Sequence, residues 1–154
     1  MEKIKTSKNS LVITTEVVCP NDVNPMGILQ GGRLVQWMDL SSAICAQNHA
    51  ENICVTASID SVSFKAPAMI GDIITIKCMV THAFKTSMEI FVQAWSKKVK
   101  DNKMKLINEA YFAFVAIDEQ GKPMKVPPFK PSNKEEKIKF DNAEKRRKLR
   151  LKKS

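Results

Sequence analysis

Residues 31–49 read GGRLVQWMDLSSAICAQNH. The run has no proline, and its strong apolar residues recur at Leu34, Trp37, Met38, Ile44 and Cys45, which predicts a helix of about five turns. Only Arg33 and Asp39 are charged. A helix so poor in charge is expected to pack on several sides, and Ser41, Ser42, Ala43 and Ala46 are small enough to admit a sheet at close range. One long helix of this kind, with extended segments all around it, decides the fold.

Upstream, LVITTEVV at 11–18 is β-rich and ends at Pro20. The segment between, PNDVNPMGILQGG at 20–32, holds three of the chain's five glycines and two of its seven prolines. That composition describes a shaped loop delivered to a helix start. Downstream, 54–66 alternates as a strand whose apolar phase shifts near Asp60: Val55, Ala57 and Ile59 share one face, Val62 and Phe64 the other. Two long strands are expected at 73–83 and 86–99, joined through His82–Lys85, and a last strand, apolar on both faces, at 104–118. Strand, long helix and four strands give an α+β layer architecture with the helix in the concave face of an antiparallel sheet.

The 154 residues, 44% hydrophobic and 27% charged, suit one domain with a real core. No run of about 18 apolar residues offers a membrane span. MEKIKTSKNS lacks the apolar region of a signal peptide, so a cytoplasmic protein is expected. Cys19, Cys45, Cys54 and Cys78 show no CxxC spacing and read as small buried hydrophobes, with no metal site expected. The net charge of +9 is concentrated in the tail: residues 132–154 carry ten Lys/Arg against four Asp/Glu. The folded domain is therefore placed at 1–127 and a basic, helix-compatible tail at 128–154, read as a solvated helix. A nucleic-acid arm is the rival reading of the tail, but its final run KRRKLRLKK has no interleaved aromatics, so nucleic acid is not expected as a partner.

NPMGILQGGRLVQWMD, followed by VTASIDSVSFKAP, GDIITI, KTSMEIFVQAW and FAFVAIDEQGKP, resembles the hotdog-fold acyl-CoA thioesterases of the cytosolic acyl-CoA hydrolase type from about Leu11 to Pro127. The resemblance implies a hotdog fold, one central helix wrapped by a mainly antiparallel sheet of five to six strands. It implies a homodimer joined edge to edge, assembled further into a trimer of dimers, with sites at the dimer interface. Residue by residue, it makes Asn24 and Asp39 catalytic, matches Gly31 and Gly32 to the paired glycines at the helix start, and places Lys85, Thr86 and Ser87 near CoA. The family often has Gly before that basic residue, where this chain has Phe84.

The chemistry agrees in part on its own terms. A helix N-terminus offers unpaired N–H groups, and glycines there let a carbonyl approach the backbone closely. The amide of Asn24 would donate a further hydrogen bond or position water. Asp39, flanked by Trp37, Met38 and Leu40, is expected to be partly withdrawn from water and to serve as general base or as nucleophile. It lies ~12 Å along the helix from Gly31, so a second subunit is needed to bring an Asp39 to that N-terminus. Lys65 and Lys85 would meet CoA phosphates, and Met26, Ile28, Trp37 and Met38 would line the acyl site or, equally, pack in the core. Taken singly, Gly-Gly is a hinge, a helical Asp is exposed and Asn-Pro is a turn; together, in this order, they read as a site. With no GxSxG elbow, and no histidine before His49, serine-hydrolase and dehydratase chemistry are disfavoured; His82 is expected to face solvent. The expected activity is hydrolysis of acyl-CoA without metal or cofactor. The alternative is an acyl-CoA sensor that binds without turnover.

Overall fold

Helix α2 (Gly31–Ala50) runs across the concave face of a five-stranded sheet in the computed structural model, which describes residues 3–153. It ends where Glu51 adopts a left-handed conformation (φ 55°) and donates its N–H to the Gln47 carbonyl at 2.8 Å. Before it come a short helix α1 (Ser7–Ser10) and strand β1 (Val12–Val17). After it come β2 (Cys54–Phe64), β3 (Ile73–Ala83), β4 (Ser87–Lys97), β5 (Lys105–Ala116) and helix α3 (Lys134–Lys153). The order across the sheet is β1-β3-β4-β5-β2 and every pairing is antiparallel, so β1 and β2 are its edges. This is the expected hotdog architecture.

Alternation along the strands builds the core. Ile74, Ile76, Cys78 and Val80 of β3, Met88, Ile90, Val92 and Ala94 of β4, and Ala110, Phe112 and Phe114 of β5 are buried under α2. Each large side chain so buried contributes about 1.5–3 kcal/mol. From the helix, Leu34, Met38, Cys45 and Ala46 complete the cluster, and the buried Ser41 and Ser42 allow the expected close approach. Of the two readings open for Met38, the structure shows core packing, and the partly buried Trp37 packs against the same cluster. Cys45, Cys54 and Cys78 are buried as expected, with the Cys54 thiol pushed up to about 11 by burial; Cys19 departs from that reading and is exposed.

Strand β2 slips register twice, between Thr56 and Ser58 and between Asp60 and Ser63. The second slip, at Ser61 in a left-handed conformation (φ 54°), is the one expected from the sequence. The first changes the assignment of faces. Val55 pairs with Val115 and Ile59 with Phe112, so these two lie on opposite faces and not together. Thr56, Ile59 and Phe64 point to the α2 side, and Asp60, opposite Tyr111, to the outer side.

The C-terminal segment differs from a solvated tail. Val126 and Phe129 belong to the core, and Lys5 pairs with Phe129 in a parallel bridge. The Asn133 side chain then caps α3, its Oδ1 accepting the Glu136 N–H at 2.9 Å. One face of α3 lies on the outer side of the sheet. Ala143 is fully buried, and Phe140 stacks on His82 at 4.0 Å between centroids. His82 stacks on Phe84 on its other side at 4.2 Å, which corrects the expectation that it faces solvent. At the centre is Glu89, wholly buried. It accepts hydrogen bonds from Thr81 Oγ1 (2.6 Å), Arg146 Nε (2.9 Å) and Nη2 (2.7 Å), and Arg150 Nη1 (3.0 Å). The Arg146 guanidinium also lies 3.9 Å from the Tyr111 ring centroid. An isolated carboxylate cannot be buried in an apolar sheet, and the two arginines that neutralise Glu89 thereby hold α3 in place.

Candidate active site

The loop that precedes α2 is held by its own polar atoms. Asp22 accepts the Cys19 N–H through Oδ2 (2.8 Å) and pairs with Arg33 through Oδ1 (3.1 Å). Asn24 Oδ1 accepts two backbone N–H groups, those of Met26 (2.9 Å) and Ile28 (3.1 Å). Gly27 completes the turn with φ 77° and donates its N–H to the Asn24 carbonyl. With its oxygen claimed by two donors, the orientation of the Asn24 amide is determined, and Nδ2 is left as a donor with no acceptor among the described residues.

The loop ends at Gly31 and Gly32. The N-cap residue Gln30 makes no side-chain hydrogen bond to the helix, so the first-turn N–H groups are uncapped by any side chain. Neither glycine has a positive φ, and a Cβ on Gly32 would meet nothing within 4 Å. A Cβ on Gly31 would come to 3.2 Å from the Phe64 ring. Backbone conformation therefore demands neither glycine. Beside them opens a cleft of about 350 Å³, lined by Gly31, Leu34, Phe64 and Ile107, with Ile28 and Lys65 also in its wall. Of Met26, Ile28, Trp37 and Met38, Ile28 is in the wall of this cleft. Lys65 pairs with Glu109 at 3.7 Å on the cleft rim.

Asp39 is half-buried on α2, and its Oδ1 accepts a hydrogen bond from Thr56 Oγ1 of β2 at 2.7 Å. Thr56 was not among the residues singled out from the sequence; only the fold of β2 against α2 brings it to Asp39. The bond leaves Oδ2 of the carboxylate free to act on water or carbonyl carbon.

Asn24, Gly31, Gly32 and Lys65 gather at one end of the sheet. Lys85, Thr86 and Ser87 form the β3–β4 turn at the other, since Ser87 pairs with Val115 whereas Gly31 abuts Phe64, the partner of Asn108. Seven residues along β5, roughly 24 Å, separate Asn108 from Val115 and so the two ends within a protomer. Among the described residues there is no group of three or more His, Cys, Asp or Glu side chains placed to hold a metal.

The sequence profile described as the thioesterase superfamily matches residues 26–102. The chain is 35% identical over 140 residues to the acetyl-coenzyme A thioesterase of Mus musculus, covering 91% of this chain but 25% of the mouse protein, so it spans about a quarter of that relative's length. Among solved structures, the acyl-CoA hydrolase of Staphylococcus aureus in complex with butyryl coenzyme A, coenzyme A and coenzyme A disulfide superposes with a TM-score of 0.91 at 37% identity, covering 98% of this chain and 92% of that one. The same protein has been solved with an Asp, an Asn and a Thr each replaced by alanine. An apo-hexameric acyl-CoA thioesterase superposes with a TM-score of 0.92 at 38% identity, covering 97% of each chain.

Proposed function

The chain belongs to the thioesterase superfamily, and from that premise we propose that it hydrolyses acyl-CoA thioesters to a free carboxylic acid and CoA. The observation that carries the reading is the fixed amide of Asn24, its oxygen bound to the loop and its Nδ2 left without an acceptor among the described residues, in the loop that leads to the uncapped start of α2. Nδ2 and the N–H groups at Gly31 and Gly32 form the donor set for the oxyanion of the tetrahedral intermediate. Asp39, held by Thr56, takes the proton of the attacking water, and the thiolate of CoA leaves. The scheme uses no metal or organic cofactor.

Within one protomer Asp39 stands ~12 Å from Gly31 along α2, so the site is completed by a second copy. The surface for that copy is the α2 side of the β2 edge, where Leu40, Ile44, Ile59 and Phe64 are exposed together. Two-fold antiparallel pairing of β2 edges sets the Lys85 end of one protomer beside the Gly31 end of the other. Lys85, Thr86 and Ser87 would then serve CoA in the partner's site while Lys65 serves its own. Further assembly into a trimer of dimers accords with the hexameric relative.

The test is thiol release from a panel of short to long acyl-CoAs, with Asp39→Asn protein as the matched blank. Wild-type turnover that falls at least about 10²-fold in a variant of unchanged assembly supports the proposal. No turnover by folded oligomeric protein across the panel would overturn it.

A further inference from the structure

Asn108 carries a side chain that the fold leaves without a partner. It is wholly buried, and neither Oδ1 nor Nδ2 meets a hydrogen-bond partner among the described residues. Buried amides are almost always matched by protein, water or ligand, because desolvation without a partner is costly.

Its position says what could match it. Asn108 falls in line with Ala110 and Phe112 on the face of β5 that looks toward α2, opposite Ala94 on β4 and Phe64 on β2. The β4–β5 ladder slips between Ala94 and Trp95, and the consecutive residues Ile107 and Asn108 are both withdrawn from water there. Bulges re-aim side chains in this way and recur beside active sites. The cleft at the start of α2 lies against the same place. It is lined by Ile107, the residue before Asn108, and by Phe64, its cross-strand partner. Asn108 thus stands directly behind the cleft wall. Phe64, 61% exposed within one protomer, is the wall residue that has to turn aside to bring the amide into the cleft.

Given the acyl-CoA reading above, on which this rests, we propose that Asn108 is a specificity residue that receives a hydroxyl on the acyl chain. An amide with both atoms free matches a hydroxyl, which accepts from Nδ2 and donates to Oδ1. A keto oxygen would leave Oδ1 bare, and a carboxylate would also bring charge into an apolar wall. The preferred ligands are therefore hydroxyacyl thioesters rather than plain alkanoyl ones.

The test separates binding from turnover. Dissociation constants are measured for non-hydrolysable S-(2-oxoalkyl)-CoA analogues, each hydroxylated chain against the plain chain of equal length, with the hydroxyl near the thioether or at the chain end. Wild type should bind at least one hydroxylated analogue about tenfold more tightly than its plain counterpart, and Asn108→Leu should abolish that preference. Asn108→Leu should melt no lower than wild type, because an unmatched amide is removed; if leucine does not fit, the smaller Asn108→Val carries the comparison. Preferences agreeing within about twofold between wild type and variant at every hydroxyl position would overturn the proposal and leave a bound water as the amide's partner. Thiol release is followed in parallel with cleavable substrates. Turnover with no hydroxyl preference removes the Asn108 site alone, whereas a preference without turnover removes the hydrolase reading and leaves the site standing.

Discussion

Asn24 has two jobs that one substitution can separate. Its Oδ1 secures the loop through the Met26 and Ile28 N–H groups, and its Nδ2 is the donor assigned to the oxyanion. Asn24→Asp keeps the acceptor and replaces the donor with a second oxygen. The loop should therefore persist, with a melting temperature within about 2 °C of wild type, while kcat falls about 10²–10³-fold. A variant that loses stability and activity together would make Asn24 a turn residue only. Both roles were visible in the sequence as alternatives, because Asn-Pro spells a turn and an amide spells a donor. What the sequence lacked was the direction of the amide, which two backbone N–H groups determine. Thr56 is the opposite case: an ordinary strand threonine in the sequence, significant only once β2 lies beside Asp39.

At the scale of elements, α3 shows how a charged stretch can be misread. Its composition is that of a solvated helix, and most of its lysines are exposed, yet Arg146 and Arg150 reach a carboxylate buried in the sheet. Replacing Arg146 with Met leaves Glu89 buried with one arginine fewer. The expected cost is about 3 kcal/mol, a fall in melting temperature of roughly 6–12 °C. Glu89→Leu added to Arg146→Met removes the buried carboxylate together with that arginine, Arg150 keeping Asp60 as its partner, and should recover most of that loss; calorimetry on the single and double variants checks the pattern. His82 joins the same elements, sandwiched between Phe84 and Phe140. Burial, against weaker opposing contributions from the Ala83 carbonyl and Glu144, lowers its pKa, and burial also lowers that of His49. The folded state therefore binds fewer protons than the unfolded chain once pH drops below the ordinary histidine value near 6.5. Stability should be full above that pH and decline as pH falls toward the lowered values. His82→Phe, which preserves the aromatic stack, should flatten the decline in melting temperature between pH 7.5 and 5.5. An unchanged slope would remove His82 from the cause.

For the whole molecule, the arrangement of the site predicts that assembly and activity fail together. Leu40 and Ile44 lie exposed on α2 beside Asp39, and Ile59 and Phe64 continue that surface on the β2 edge. Leu40→Glu puts a charge in this surface without touching Asn24, Asp39 or Gly31. The variant should run as a monomer in light scattering, keep its far-UV spectrum, and lose thiol release by about 10²-fold or more, because general base and oxyanion donors are no longer together. A monomer with full activity would place the whole site in one chain.

The order of elements, the long charge-poor helix and the loop with Asn24, Gly31 and Gly32 were set by periodicity and by proline and glycine placement, which act over a few residues and are therefore readable in line. The outer surface was decided differently. The docking of α3, the aromatic sandwich around His82 and the partnership of Thr56 with Asp39 all join residues far apart in the chain, and the burial of the Asn108 amide depends on strands equally distant from it. The first slip in β2, which parted Ile59 from Val55, depends on pairing with β5. Burial and partner choice at these positions follow from which surfaces meet, and only the folded chain brings those surfaces together.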